Sequence, residues 1–325
     1  MTRTLRPAEG SPGARIVGIG SAQPQRVVTN HELAERVDTN DEWIRRRVGI
    51  VTRRIAGPEQ SLVDLASEAG GKAVADAGLS PSDIDTVLVA TCTMPYSIPH
   101  SASQVAERIG ITAPGAFDLN AACAGFCYGL ATASDMIRSG SSGHVLVIGA
   151  EKLSDILDWD DRATSVIFGD GAGAVVVGPA AQPEIGPVVW GSAGDQYEVI
   201  RTTDRGHIFQ EGQAVFRWAT SKIGPFARRA VELAGLQPSD IDVLIPHQAN
   251  LRIIEAIARQ LRAAGARDDM VVADDIVESG NTSSASIPLA LDHMRAAGRV
   301  RSGDVMLLVG FGAGLTYAGQ VALCP

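Results

Sequence analysis

The sequence predicts an α/β fold made of two duplicated halves, each a sheet covered by helices on both faces. Internal repetition is the first reason. AVADAGLSPSDIDTVLVAT, starting at Ala73, is matched 157 residues later by AVELAGLQPSDIDVLIPHQ from Ala230. In both, a helix ending in Ala-Gly-Leu leads through a Pro-Ser-Asp-Ile-Asp turn into a strand. GHVLVIGAEKL from Gly143 and GDVMLLVGFGAGL from Gly303 form a second pair, 160 residues apart. Two separate pairs converging on half the chain length mark a duplication. The remaining reason is the set of short, uninterrupted apolar runs VLVAT, HVLVIGA and VMLLVG between helical patterns, because strands that lack polar alternation are buried on both faces. The expected switch lies near GPAAQPEIGP, residues 178–187, and divides the 325 residues into an N-terminal half over 1–178 and a C-terminal half over 179–325.

Composition fits a large core: 45% of residues are hydrophobic and 20% charged, enough for more than one domain-sized unit. No apolar run approaches the ~20 residues of a membrane span, and the start MTRTLRPAEGSPGAR has no apolar signal region, so a cytoplasmic protein is expected. Cys92, Cys123, Cys127 and Cys324 show no CxxC pair and no metal-ligand spacing, which predicts reduced thiols and no metal. A net charge of −9 argues against nucleic acid as a partner.

Taken in chain order, DEWIRRR reads as a surface helix in which Arg45 and Arg46 are solvated. FDLNAACAGFCYGLATASDMI turns from a short apolar stretch through small residues into a helix, with Cys123 at the helix start. The first helical turn offers unpaired N–H groups and the positive end of the macrodipole, so a reactive thiolate is expected there. Ala121, Ala122, Ala124 and Gly125 leave room for a tight elbow and for a substrate carbonyl to approach the backbone. IFGDGAGAVVVG reads as a turn into a buried strand. His247 and Asn250 follow the apolar VLIP and precede a helix with Ile254, Ile257, Ala258 and Leu261 on one side and Arg252, Glu255, Arg259 and Arg262 on the other. In ESGNTSSASIPLAL, Asn281 stands at another element boundary. GFGAG near the end lacks GxGxxG spacing, and only 11 residues follow Gly314, too few for a dinucleotide-binding βαβ unit. A lone Cys, His or Asn at such a place is ordinarily a core or capping residue. Three at strand-to-helix junctions suggest a convergent Cys-His-Asn site between the halves.

NAACAGF, PHQANLRII and GNTSSASIP, together with DTNDEWIRRRVGI, IFGDGAGAVVVG and GFGAGLTYAG, resemble the motifs of β-ketoacyl-acyl-carrier-protein synthase III, and the resemblance runs from about Arg15 to Leu323. It implies the thiolase-like fold, with two halves in five layers, α-β-α-β-α. It also implies an acyltransferase that initiates fatty-acid or polyketide synthesis. Cys123 would take an acyl group from acyl-CoA, and malonyl-acyl carrier protein would then condense by decarboxylation, with His247 and Asn281 holding the enolate. The backbone N–H groups of Cys123 and Ala313 would form the oxyanion hole, Ala313 standing where the family usually has glycine. Whether His247 presents an N–H to the thioester is open from sequence.

By the same resemblance, Trp43, Arg47, Arg162 and Asn250 would bind CoA, an indole and a guanidinium sandwiching the base. Arg252, Arg259 and Arg217 would receive the acidic carrier protein, which the chain's overall negative charge cannot attract. TMPYSIPHSASQ would cross a homodimer interface, with Ile98 as the wall of the acyl pocket. No cofactor is implied, since acyl-CoA is a substrate. Three other classes remain: a starter-priming synthase or acyltransferase of a secondary pathway, a non-catalytic partner subunit, which would be expected to lack Cys123, and a papain-type hydrolase, which the halved α/β repeat disfavours.

Overall fold

The structure, a computed structural model, describes residues 9–325; the reading of the first eight residues falls outside it. The repeated motifs fold alike. Pro81–Asp83 and Pro238–Asp240 both form a single 3₁₀ turn. Asp83 and Asp240 reach back to the N–H groups of Ser80 and Gln237, at 2.7 and 2.8 Å. Each such reciprocal cap satisfies backbone donors that the turn leaves open.

Both turns enter a strand of a five-stranded sheet. The first sheet is ordered Gly13–Ala22, Gly171–Ala180, Val145–Glu151, Thr86–Ala90, Gly115–Leu119. The second is ordered Val189–Ser192, Thr316–Leu323, Val305–Gly312, Val243–Pro246, Val271–Val272. Neighbours in the first are antiparallel, antiparallel, parallel and parallel, and the second repeats that series. The duplication seen in sequence is therefore a duplication of topology.

Helices Gly125–Ser139 and Ser286–Ala296 lie between the sheets and pack on strands of both. Leu62–Asp76 and Ser101–Ile109 cover the outer face of the first sheet. Gly212–Leu233 and Leu251–Ala263 join the core on the outer face of the second. The result is five layers, as expected. Strand alternation explains how all are filled at once: Val145 and Val147 face the central helices while Leu146 and Ile148 face the outer ones. Met306 and Leu308 likewise face inward, and Leu307 and Val309 outward. A strand buried on both faces reads as an unbroken apolar run because each side chain has an apolar layer to enter.

Close packing between the halves is set by glycine at Gly149. A Cβ there would stand 2.3 Å from the carbonyl oxygen of Ser284, a backbone atom that cannot swing aside. Gly149→Ala is expected to cost about 3 kcal/mol by overpacking, seen as a lower denaturant midpoint with unchanged slope.

Candidate active site

Cys123 lies where the sequence placed it, in a short 3₁₀ turn, Ala122–Ala124, between strand Gly115–Leu119 and helix Gly125–Ser139. Ala122 carries φ = 46°, a left-handed conformation that is uncommon outside glycine because the Cβ itself clashes there. Asn120 holds the turn by accepting the Ala122 N–H at 3.1 Å. The second half repeats this elbow. Asn281 accepts the Ser283 N–H at 2.8 Å, Ser283 has φ = 49°, and Ser283–Ala285 leads into helix Ser286–Ala296. Cys123 and Ser284 are thus equivalent positions. Comparing NAACAG with NTSSAS, 161 residues on, shows the equivalence, a signal the motif-by-motif reading missed.

The two halves meet at a cavity of about 590 Å³. Cys123, His247, Asn281 and Ala313 all line it, with Trp43, Arg47, Arg162, Asn250, Arg217 and Arg252 further out. His247 and Asn281 are buried. Ser286 accepts the Gln248 N–H at 3.3 Å and lies 2.7 Å from His247 Nδ1. The Ser286 proton has no other acceptor among the described residues, so Nδ1 accepts it and Nε2 carries the ring proton. This tautomer is the one that leaves both the Ser286 proton and its lone pair partnered. Burial lowers the imidazole to about 3, which keeps it neutral, and Phe311 meets it edge-on at 5.3 Å. With its Oδ1 committed to Ser283, Asn281 has Nδ2 free to donate. Two N–H donors therefore face the cavity.

One expectation is corrected here. The balance for the Cys123 thiol runs against a resting thiolate: burial pushes it from 9.0 up to about 12, with the Ser283 hydroxyl pulling it back down and the Glu151 charge adding to the rise. A rise of that size is worth about 4 kcal/mol, more than the ~2 kcal/mol a helix N-terminus returns at best. Burial in this cavity therefore favours the thiol over the thiolate.

GFGAG serves close packing. A Cβ on Gly312 would stand 2.8 Å from Cβ of Cys123, and one on Gly310 2.9 Å from Cα of Ala124. Neither the Cys123 nor the Ala313 N–H meets a protein acceptor among the described residues, so both amides are available to an incoming oxyanion.

In the outer cavity, Asn40 caps helix Asp41–Val48, which turns Trp43 and Arg47 inward and leaves Arg45 to pair with Asp41 at 2.7 Å. The Arg162 guanidinium sits 4.9 Å over the Trp43 ring and donates to the Asp38 carbonyl at 2.8 Å. The pair is closed on itself, guanidinium against indole. Asn250 caps helix Leu251–Ala263 through the Arg252 N–H and donates to the Arg47 carbonyl at 3.3 Å, so its first task is to tie the two helices together. Arg252 lies over the Phe216 ring at 4.9 Å.

Two further residues lie apart from this cavity. Arg259 points to solvent and pairs with Glu255 at 3.8 Å. Ile98 is 86% exposed and does not line the cavity. The sequence reading also passed over Ser283, Ser286, Phe311 and the fully buried Glu151, each of which touches the reactive group or its partners. All four cysteines are free thiols. Among the described residues no cluster of His, Cys, Asp or Glu is disposed to hold a metal ion, and no helix is long and apolar enough to cross a membrane.

A nucleophile delivered by one half to hydrogen-bond donors delivered by the other is the arrangement of condensing enzymes of the thiolase fold. The family model for 3-oxoacyl-[acyl-carrier-protein] synthase III matches residues 117–194, and its C-terminal companion matches 231–323. The chain is 51% identical to β-ketoacyl-[acyl-carrier-protein] synthase III 4 of Streptomyces coelicolor, over 96% of this chain and 99% of that one. It is 46% identical to the mycobacterial synthase III of Mycobacterium avium, over 99% of each. Among solved structures, the priming β-ketosynthase of the R1128 polyketide pathway superposes with a TM-score of 0.95 at 41% identity, covering 99% of both chains. The synthase III of Aquifex aeolicus superposes at 0.91 and 39% identity, covering 96% of this chain and all of that one. The chain belongs to the 3-oxoacyl-[acyl-carrier-protein] synthase III family, and is a condensing acyltransferase.

Proposed function

We propose that acyl-CoA loads Cys123 and that malonyl-acyl carrier protein then condenses on the acyl-cysteine, giving 3-oxoacyl-carrier protein, CoA and CO₂. One observation carries this reading. The cysteine elbow faces two free donors, His247 Nε2–H and Asn281 Nδ2–H, across a single cavity.

In the first half-reaction the Cys123 sulfur attacks the thioester carbonyl while the N–H groups of Cys123 and Ala313 take its developing negative charge. Collapse expels CoA, whose sulfur ends with the proton that Cys123 gives up. In the second, the malonyl C–C bond breaks, CO₂ leaves with neither electron of that bond, and the pair forms an enolate. His247 and Asn281 donate to the enolate oxygen. Its carbon attacks the acyl-cysteine, and the departing sulfur takes up one proton from solvent, the proton that loss of the carboxylate consumes. Only side chains and backbone amides are needed, with no cofactor.

Trp43, Arg47 and Arg162 line the outer cavity where the CoA nucleotide would lie, with Asn250 bracing Arg47 from behind. Arg217 and Arg252 on its exposed rim, with Arg259 beyond, would meet the acidic carrier protein. A cytoplasmic homodimer fits the surface. Strand Gly115–Leu119 is a sheet edge that carries Phe117 at 38% exposure, and Tyr96 and Ile98 are exposed as well; an unpaired edge with apolar side chains invites pairing. Ile98 would then line the partner's acyl pocket. A priming role in a polyketide pathway is the second reading, favoured by the overlay on the R1128 priming β-ketosynthase.

The test is intact-protein mass after mixing with acyl-CoAs from acetyl to branched and medium chains. A single acyl adduct is expected, removed on adding malonyl-carrier protein. The chain lengths that load name the starter. Absence of an adduct from every CoA would sink the reading.

A further inference from the structure

Arg53, in the short strand Thr52–Arg54, has no exposed surface. Among the described residues its guanidinium meets amide oxygens only: the Val166 carbonyl at 2.7 Å, Asn30 Oδ1 at 2.8 Å and the Val28 carbonyl at 3.5 Å, with no acceptor for Nε. Burial lowers it to about 10, so it keeps its charge at neutral pH. A buried cation without a carboxylate costs stability, and the reaction as written above makes no use of it.

In front of it stands Asn281. The Asn281 N–H donates to the Ile167 carbonyl and the Gly169 N–H to the Asn281 carbonyl, both at 3.0 Å, which makes a bridge between Phe168 and Asn281. Arg53 grips this bridge with its head and backs it with its stem. The head holds the carbonyl of Val166, the residue before Ile167. The stem lies against the glycine on each strand of the bridge: a Cβ on Gly280 would stand 3.1 Å from Arg53 Cβ, and one on Gly169 3.2 Å from it. The backbone around Arg53 is tied to both strands as well, Val51 N–H to the Val277 carbonyl at 2.7 Å and Asp170 N–H to the Arg54 carbonyl at 2.8 Å. Gly280, at φ = 69°, is a joint with wide conformational freedom. The pose of Asn281 is therefore set by what clamps the bridge from behind.

Asn30 closes the other end of the contact. Its Nδ2 donates to Asp41 Oδ1 at 2.9 Å and to the Ile50 carbonyl at 2.8 Å, so helix Asp41–Val48 keeps those ties whether or not Arg53 is present.

We propose that Arg53 is a positioning residue for the second half-reaction: by clamping the Phe168–Asn281 bridge it aims Asn281 Nδ2–H at the enolate oxygen. The inference rests on the reading of Asn281 as an enolate donor. A planar fork suits the task because it serves two acceptors in different directions, which a compact ammonium does not. Loading of Cys123 does not pass through the bridge, since its elbow is held separately by Asn120.

The test is a pair of rates on the full chain, acyl adduct formation at Cys123 and CO₂ release from malonyl-carrier protein, for Arg53→Lys alone and combined with Asn281→Ala. Arg53→Lys is expected to lower CO₂ release roughly tenfold or more, as a displaced group does, while adduct formation stays near the parent. In the Asn281→Ala background the same substitution should change CO₂ release by less than about twofold, because the donor it aims is already gone. A residue that merely holds the fold would lower both rates, and in both backgrounds. Arg53→Met, which removes the charge and the donors, carries the test if Arg53→Lys does not fold. CO₂ release that is unchanged, that falls in step with adduct formation, or that falls as far again without Asn281 overturns the proposal and leaves the enolate reading standing. A parent that loads Cys123 and releases no CO₂ removes that reading, and this inference with it.

Discussion

Cys123→Ala is expected to abolish acyl loading, with the adduct rate falling by at least ~10³-fold for loss of a covalent nucleophile, while the thermal midpoint moves little because the side chain faces the cavity. Cys92 is the only other thiol lining that cavity, and it cannot substitute. It already donates to Glu151, and burial together with that carboxylate holds it well above the usual thiol range. Ser284 is the positional equivalent of Cys123 in the second elbow, but its one hydroxyl proton is held between two acceptors, Glu151 and the Ala90 carbonyl, both at 2.8 Å. Peptide mapping after incubation with acyl-CoA decides the matter. An adduct persisting in Cys123→Ala at Cys92 or Ser284 would move the chemistry off Cys123.

The same elbows show what the sequence could and could not reveal. The duplication was legible because turn chemistry repeats as residues: Pro-Ser-Asp at 81–83 and 238–240 folds to the same cap. The Cys-His-Asn group was legible because each member sits where an apolar strand gives way to a helix. The protonation of Cys123 was not. A helix start is visible in sequence, but the opposing cost comes from burial and from Glu151, which reaches the site from a different strand. Glu151 itself read as the end of VLVIGAE and nothing more, since its partners lie from Thr91 to Ser284. Ser286 was hidden for the same reason: its contact with His247 joins positions 39 apart. GFGAG was weighed in sequence only against a dinucleotide fingerprint, whereas Gly310 and Gly312 let one half's strand pass close against the other half's elbow.

His247→Ala and Asn281→Ala should separate the two half-reactions. Neither side chain is needed to expel CoA, so loading of Cys123 is expected at near the parent rate in both. Each supplies one of two donors to the enolate oxygen, and loss of one preorganised donor costs about 10²–10³-fold, read as CO₂ released from malonyl-carrier protein. Donors to one oxygen act as a unit, so the double variant should be little worse than either single one. The pH profile adds an independent check. Burial sets His247 near 3, below its ordinary 6.5, so the native ring is neutral at every pH above about 3 and condensation should show no acid limb near 6.5 from this residue. Stability behaves otherwise: below pH 6.5 the unfolded chain takes up a proton that the native ring refuses, so the contribution present above 6.5 is lost as pH falls towards 3. Exchanging His247 for alanine should therefore flatten the fall in thermal midpoint between pH 6.5 and 4. A limb near 6.5 in the parent's condensation rate that disappears in His247→Ala would mean that the ring works as a charged acid, and the two-donor account of the enolate would have to be given up.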